Sequence, residues 1–111
     1  MPVTQPVSEM IAAARLLINQ VSVHEAAELQ RLDAAILIDL RDVRELQKMG
    51  IVPRAFHAPR GMLEFWADPD SPYQKPVFRT NKKLALFCAS SPRSGLAARA
   101  LQDVGMDNVL D

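Results

Sequence analysis

The chain has 111 residues and a mass of 12.3 kDa, enough for one domain with its own core and too few for two. Thirteen Lys and Arg balance thirteen Asp and Glu, and aromatic residues make up only 5%, which argues against a nucleic-acid or anionic-membrane footprint and against a base-stacking surface. Met1–Pro6 carries no basic residue, and the apolar stretch from Met10 to Ile18 is interrupted by Arg15. The start therefore matches neither a signal peptide nor a membrane span, and no nucleic-acid or membrane partner is expected. The single cysteine, Cys88, has no intrachain partner, which suits a reducing compartment and makes the cytoplasm the expected location.

In chain order, residues 8–19 read as an amphipathic helix. Met10, Ile11, Ala14, Leu17, Ile18 and then Val21 recur at helical spacing, with Ser8 as the expected N-cap. Ser22 followed by Glu25 is a capping box that opens a second helix over 23–31. Ala34-Ala35-Ile36-Leu37-Ile38-Asp39 is a continuous apolar run ending in an acid, which suits a central parallel strand buried on both faces. A third helix over about 42–49 places Val43 and Leu46 on one face and stops at Gly50.

Between Pro53 and Pro59, Ala55-Phe56-His57 reads as a short strand. Residues 62–81, with prolines at 69, 72 and 76, read as a long irregular loop anchored in the core by Phe65, Trp66 and Tyr73. Loops of that length carry function or cover something, and Arg60, Glu64 and Trp66 are candidates for gating a substrate. A strand over 84–88, a helix over 93–104 stopped by Gly105, and a last fragment Asn108-Val109-Leu110 complete the pattern. Alternating strands and helices predict an α/β domain with a mainly parallel central sheet and helices on both faces. Residues 1–19 would form an N-terminal helical extension to a domain over 20–111. The C-terminal strand and helix region is expected to be truncated at Asp111.

Cys88 closes the apolar run Leu84-Ala85-Leu86-Phe87 and opens the small-residue loop Ala89-Ser90-Ser91-Pro92. Arg93, Ser94 and a helical pattern follow. A thiol reacts as its thiolate, and a helix N-terminus or a nearby cation favours that anion. Inward-facing loop N–H groups would form an anion cradle, and the small side chains let the backbone approach a ligand. Arg93 would add a planar fork for oxyanions. Cysteine phosphatases use a related arrangement with a loop one residue longer than the four residues between Cys88 and Arg93. The shorter ring suits a persulfide.

With these residues in view, the chain resembles the rhodanese-like (sulfurtransferase) family. Ile36-Leu37-Ile38-Asp39-Leu40-Arg41 is similar to its apolar strand ending in Asp-x-Arg. Glu45, Gly50, Pro53, Ala55 and Pro59 fall along its Glu…Gly-His-Ile-Pro-Gly-Ala…Pro segment. Cys88 through Ser94, followed by Leu96-Ala97-Ala98, resembles its active-site loop and helix. Gly50-Ile51-Val52-Pro53-Arg54-Ala55 lacks the histidine and second glycine of that segment, and Pro92 has no N–H to offer the cradle.

The resemblance implies sulfur transfer through a Cys88 persulfide, from a small donor such as thiosulfate or a persulfide to a thiol, cyanide or protein acceptor. It implies that Ala89, Ser90, Ser91, Arg93 and Ser94 bind the substrate. Asp39, Arg41 and Arg60 are candidates for the site rim, and neither a metal nor an organic cofactor is called for. Asp39 and Arg41 could equally pair with each other or cap the 42–49 helix. His57 fits a packed, hydrogen-bonded histidine, and His24 has no assigned role. Two other functions stay open: a persulfide-relay carrier, or a non-catalytic interaction module that docks on a partner. A cysteine phosphatase or arsenate reductase ranks last because of the loop length. Oligomeric state is left open.

Overall fold

The computed structural model describes residues 2–89 and 92–111. Four parallel strands form the central sheet in the order β2-β1-β3-β4: β1 is Ala35–Asp39, β2 Phe56–His57, β3 Lys83–Phe87 and β4 Val109–Leu110. The two apolar runs of the sequence are the adjacent central strands, paired over their full length from Ala35↔Lys83 to Asp39↔Phe87. Alternate side chains of these strands feed opposite faces. Ile38, Leu84 and Leu86 join Leu101, Leu63, Phe78 and Val109 in the main core, under helices α1 (Val7–Leu17), α4 (Leu63–Ala67) and α5 (Pro92–Val104). Leu37, Ala85 and Leu110 face the other way, against Val21, Ala26 and Leu29 around α2 (Val23–Arg31).

Local signals account for most boundaries. The Ser22–Glu25 capping box is present at α2. A second box, Asp42 with Glu45, opens α3 (Val43–Met49). Helix α1 begins one residue before the expected Ser8 cap, at Val7, with Pro6 at the N-cap and no side-chain cap bond. Proline there supplies a φ of −61°, so the turn starts without help from a serine. Met10 and Leu17 of the apolar pattern stay exposed, while Ala14 and Ile18 are buried. α1 lies on α5, and Gln102 Nε2 donates to the Leu17 carbonyl.

The reading of 62–81 as an irregular loop is corrected. Leu63–Ala67 is a short helix, preceded by a 3-10 turn over Arg60–Met62, and a further 3-10 turn spans Pro76–Phe78. A five-residue helix is too short to show a period, and its two buried residues, Leu63 and Ala67, are only four apart. The anchoring role also falls differently. Phe65 and Tyr73 are 54% and 60% exposed and stack edge-to-face on each other at the surface. Phe78 is buried, and half-buried Trp66 packs edge-to-face on Phe56 and carries Lys75 over its ring.

Gly50 ends α3 at φ 85° and ψ 174°, a conformation reserved almost entirely for glycine. Nothing lies within 4 Å of where a Cβ would sit, so Gly50→Ala meets a backbone penalty and no clash. The substitution is expected to cost on the order of 1–3 kcal/mol in urea denaturation. Unchanged stability would show that the turn relaxes.

Candidate active site

β1 and β3 are neighbours, yet the chain leaves β1 for β2 at one edge and leaves β3 for β4 at the other. In open parallel sheets the crevice between two such diverging connections is the usual ligand site. Cys88 is the first residue after β3, half-buried at that crevice, and Leu40 of the adjoining β1 end donates its N–H to the Phe87 carbonyl at 3.0 Å. Helix α5 then starts at Pro92. A proline at the first helical position sits where an N–H has no intrahelical acceptor, so its missing donor costs the helix nothing. The thirteen-residue helix directs its positive end toward the strand end that carries Cys88. Ser90 and Ser91, expected to line the cradle, lie outside the described residues. Ala89 is exposed at the loop start.

The Cys88 sulfur is 3.8 Å from the hydroxyl of Ser94, which is buried in the first turn of α5. The thiol can donate to that oxygen, and a thiolate would accept from it. Arg93 does not present an open fork. Its Nη1 donates to Glu45 Oε1 at 2.7 Å and its Nη2 to Glu45 Oε2 at 2.9 Å, a bidentate pair tying α5 to α3. The guanidinium raises its own affinity for a proton through this pair and also lies within electrostatic reach of Cys88. Glu45 Oε1 further accepts the Asp42 N–H of the capping box at 3.0 Å. These bonds, Arg93 first, hold the Glu45 carboxyl well below its ordinary range, at about 2.

Because the folded value is lower than the unfolded one, this pair stabilises the fold at pH above about 4.5, and the contribution is lost as pH falls toward about 2. Acid titration of stability should therefore be shallower between those limits in Glu45→Gln than in the unsubstituted chain. Identical slopes would contradict the assignment.

Asp39 and Arg41 form a second pair. Both candidates for the site rim are buried, at 2% and 7% exposure, and Arg41 lines a cleft at Cys88. Arg41 Nε lies 2.9 Å from Asp39 Oδ1, and its Nη2 lies 2.7 Å from Oδ2. The Arg41 N–H also donates to Asp39 Oδ1, and Nη2 reaches the Gly50 carbonyl at 3.0 Å. Arg41 stands 6.0 Å from the Phe87 ring centroid. His57 Nε2 donates to the Arg41 carbonyl at 2.6 Å, fastening β2 to the segment after β1. Of the pairings weighed for Asp39, the bond to Arg41 forms, while the helix cap is taken by Asp42. The Asp42–Glu45 box was legible as Asp-x-x-Glu before an apolar position. The reach of Glu45 to Arg93 had no local signal.

Among the described residues, three clefts meet at Cys88. One of about 350 Å³ is mainly apolar and runs under α2, lined by Val21, Ala26, Leu37 and Phe87 among others. A second of about 380 Å³ adds Arg15, Gln20 and Ser94. A third of about 260 Å³ opens between Arg41, Met49, Gly50, Ile51, Val52 and Ala89. Arg60 is not on these walls. It pairs with Glu64 at 2.6 Å and lines a separate groove with Met10, Leu96 and Arg99 of the α1–α5 side. Among the described residues no group of His, Cys, Asp and Glu is placed to hold a metal ion, and no helix is long and apolar enough to cross a membrane.

Solved structures place this arrangement in context. A protein of unknown function from Rhodopseudomonas palustris, described as a possible tyrosine phosphatase, superposes with a TM-score of 0.93 at 38% identity, over 99% of this chain and 85% of that one. The polysulfide-sulfur transferase homodimer of Wolinella succinogenes reaches 0.65 at 28% identity, over 91% and 72%. A human single-domain sulfurtransferase reaches 0.65 at 24% identity, over 82% and 85%, and shares the fold. No curated protein sequence is a significant match. The family model for the rhodanese-like domain matches residues 22–111, from the α2 capping box to the last residue, and the chain belongs to the rhodanese-like family.

Proposed function

We propose that this protein is a sulfurtransferase that carries sulfane sulfur as a persulfide on Cys88. With thiosulfate as donor, the Cys88 thiolate attacks the outer sulfur. A new S–S bond forms, the S–S bond of thiosulfate breaks, and its electron pair leaves with sulfite. Cyanide or a thiolate then attacks the terminal sulfur of the persulfide and takes it as thiocyanate or a new persulfide, returning Cys88 as thiolate. No cofactor is required, since the thiolate supplies the electron pair in the first step and recovers it in the second. The α5 N-terminus and the Ser94 hydroxyl would stabilise the terminal anion.

The observation that supports this reading most is the position of Cys88 at the switch point of the sheet, with four residues between it and an arginine at the start of α5. The polysulfide-sulfur transferase among the structural neighbours supports the reaction class. The label on the Rhodopseudomonas protein favours a phosphatase as the second reading. Against it, the loop between Cys88 and Arg93 is one residue shorter than the loop cysteine phosphatases use.

Intact-mass analysis after thiosulfate treatment is expected to show one added sulfur on the chain, removed again by cyanide with release of thiocyanate. Hydrolysis of p-nitrophenyl phosphate without any added sulfur would overturn the sulfurtransferase reading in favour of the phosphatase. Added sulfur with slow release to cyanide would identify a relay carrier.

A further inference from the structure

Cys88 is flanked by two guanidinium groups, and the chain neutralises both with its own carboxylates. Arg41 is buried against Asp39, and Arg93 is held in both arms of its fork by Glu45. Glu45 does not meet Arg93 by a loose side-chain excursion. Its Oε1 also accepts the Asp42 N–H, so the first turn of α3 holds the carboxylate in place before Arg93 reaches it. The cleft that joins Cys88 to Arg41 is edged by Met49, Ile51 and Val52, all exposed and apolar. An incoming oxyanion therefore competes with a carboxylate that already holds two charge-assisted hydrogen bonds from the terminal nitrogens of the fork and repels a second anion there. A donor with an uncharged body has nothing to displace.

We propose that Glu45 is a selectivity residue that screens Cys88 against oxyanions by occupying the Arg93 fork. Its consequence for donors rests on the sulfurtransferase reading: alkyl persulfides, R–S–SH, would be used in preference to thiosulfate. Attack by the Cys88 thiolate on the outer sulfur of R–S–SH forms Cys88–S–SH and expels the thiolate RS⁻, so charge and electrons balance. Glu45 touches no reacting atom in this scheme and acts through Arg93. The screening itself is a property of the site whatever reaction Cys88 performs.

Glu45→Gln tests it, because the amide oxygen can still accept the Asp42 N–H while the charge on the fork is removed. The first measurement is the rate of Cys88 alkylation by iodoacetate, an anion, relative to iodoacetamide. This ratio is expected to rise about tenfold in Glu45→Gln, the effect of removing one charge a few Å from the reagent. The rise should vanish in the double variant Glu45→Gln, Arg93→Gln. In the unsubstituted chain the ratio should not exceed that of the same chain unfolded in urea, a comparison that needs no variant. A native ratio tenfold above the unfolded one, or no rise in Glu45→Gln, overturns the proposal.

The second measurement is sulfur transfer to cyanide from thiosulfate and from the persulfide of 2-mercaptoethanol. KM for thiosulfate is expected to fall by about tenfold in Glu45→Gln, with kcat/KM for the persulfide changed less than about threefold. Equal losses with both donors would make Glu45 a structural clamp and refute the screening role. A raised alkylation ratio with no sulfur transfer in either chain would retain the screen and reject the sulfurtransferase reading.

Discussion

Cys88→Ser is expected to lower sulfur transfer by at least about 10³-fold, because the hydroxyl stays protonated where the thiol can form the attacking anion. The residue is half-buried and its sulfur lies 3.8 Å from the Ser94 hydroxyl, so a hydroxyl of similar size fits the same place. Stability should change by less than about 1 kcal/mol, the range for a substitution that opens no cavity and strands no charge. Thiocyanate production and urea unfolding on the same preparation separate the two effects. Cys88 is the only cysteine in the chain, so persulfide mass should disappear completely from the variant. Turnover retained by Cys88→Ala would remove Cys88 from the reaction altogether.

Asp39→Ala is expected to produce the largest loss of stability among the changes considered, about 3–5 kcal/mol. The alanine would leave the Arg41 guanidinium, 7% exposed, with the Gly50 carbonyl and the Phe87 ring in place of its counter-charge. For a small domain this is a large share of a total of about 5–15 kcal/mol. Replacing both partners together, as Asp39→Leu with Arg41→Met, should cost less than the single change, because no charge is then stranded in the interior. A single-variant loss below about 1 kcal/mol in urea denaturation would show that water reaches Arg41. Because Arg41 also holds the C-terminal end of α3 at Gly50, the thiocyanate assay should show weakened turnover even where the variant remains folded.

The two expectations differ in how they could be read from the chain. Cys88 was legible as a reacting group because a strand, a thiol, a small-residue loop and a helix start follow one another without a break. The Asp39–Arg41 pair was legible as one option, since two charges two residues apart after a strand can pair, cap or reach a ligand. Burial decided among these, and burial depends on what packs above: β3 beside β1, and the Phe87 ring over the guanidinium. The five-residue α4 and the surface pairing of Phe65 with Tyr73 escaped for a similar reason. A single turn of helix has no period, and an aromatic ring does not state which face of a loop it will take.

What the sequence determined by itself was local: the capping box of α2, two apolar strand runs, a glycine after α3, and the order of strands and helices that defines the rhodanese-like domain. Each is set by neighbours within a few residues, where backbone hydrogen bonding and side-chain period act. Only the tertiary structure decided what faces Cys88. Arg93, expected as an open oxyanion fork, is filled by Glu45 from a helix 48 residues earlier in the chain, and Arg60 is carried away to the α1–α5 side. The physical reason is that charges pair with whatever the sheet crossover brings within about 3 Å, and that distance has no counterpart in sequence separation.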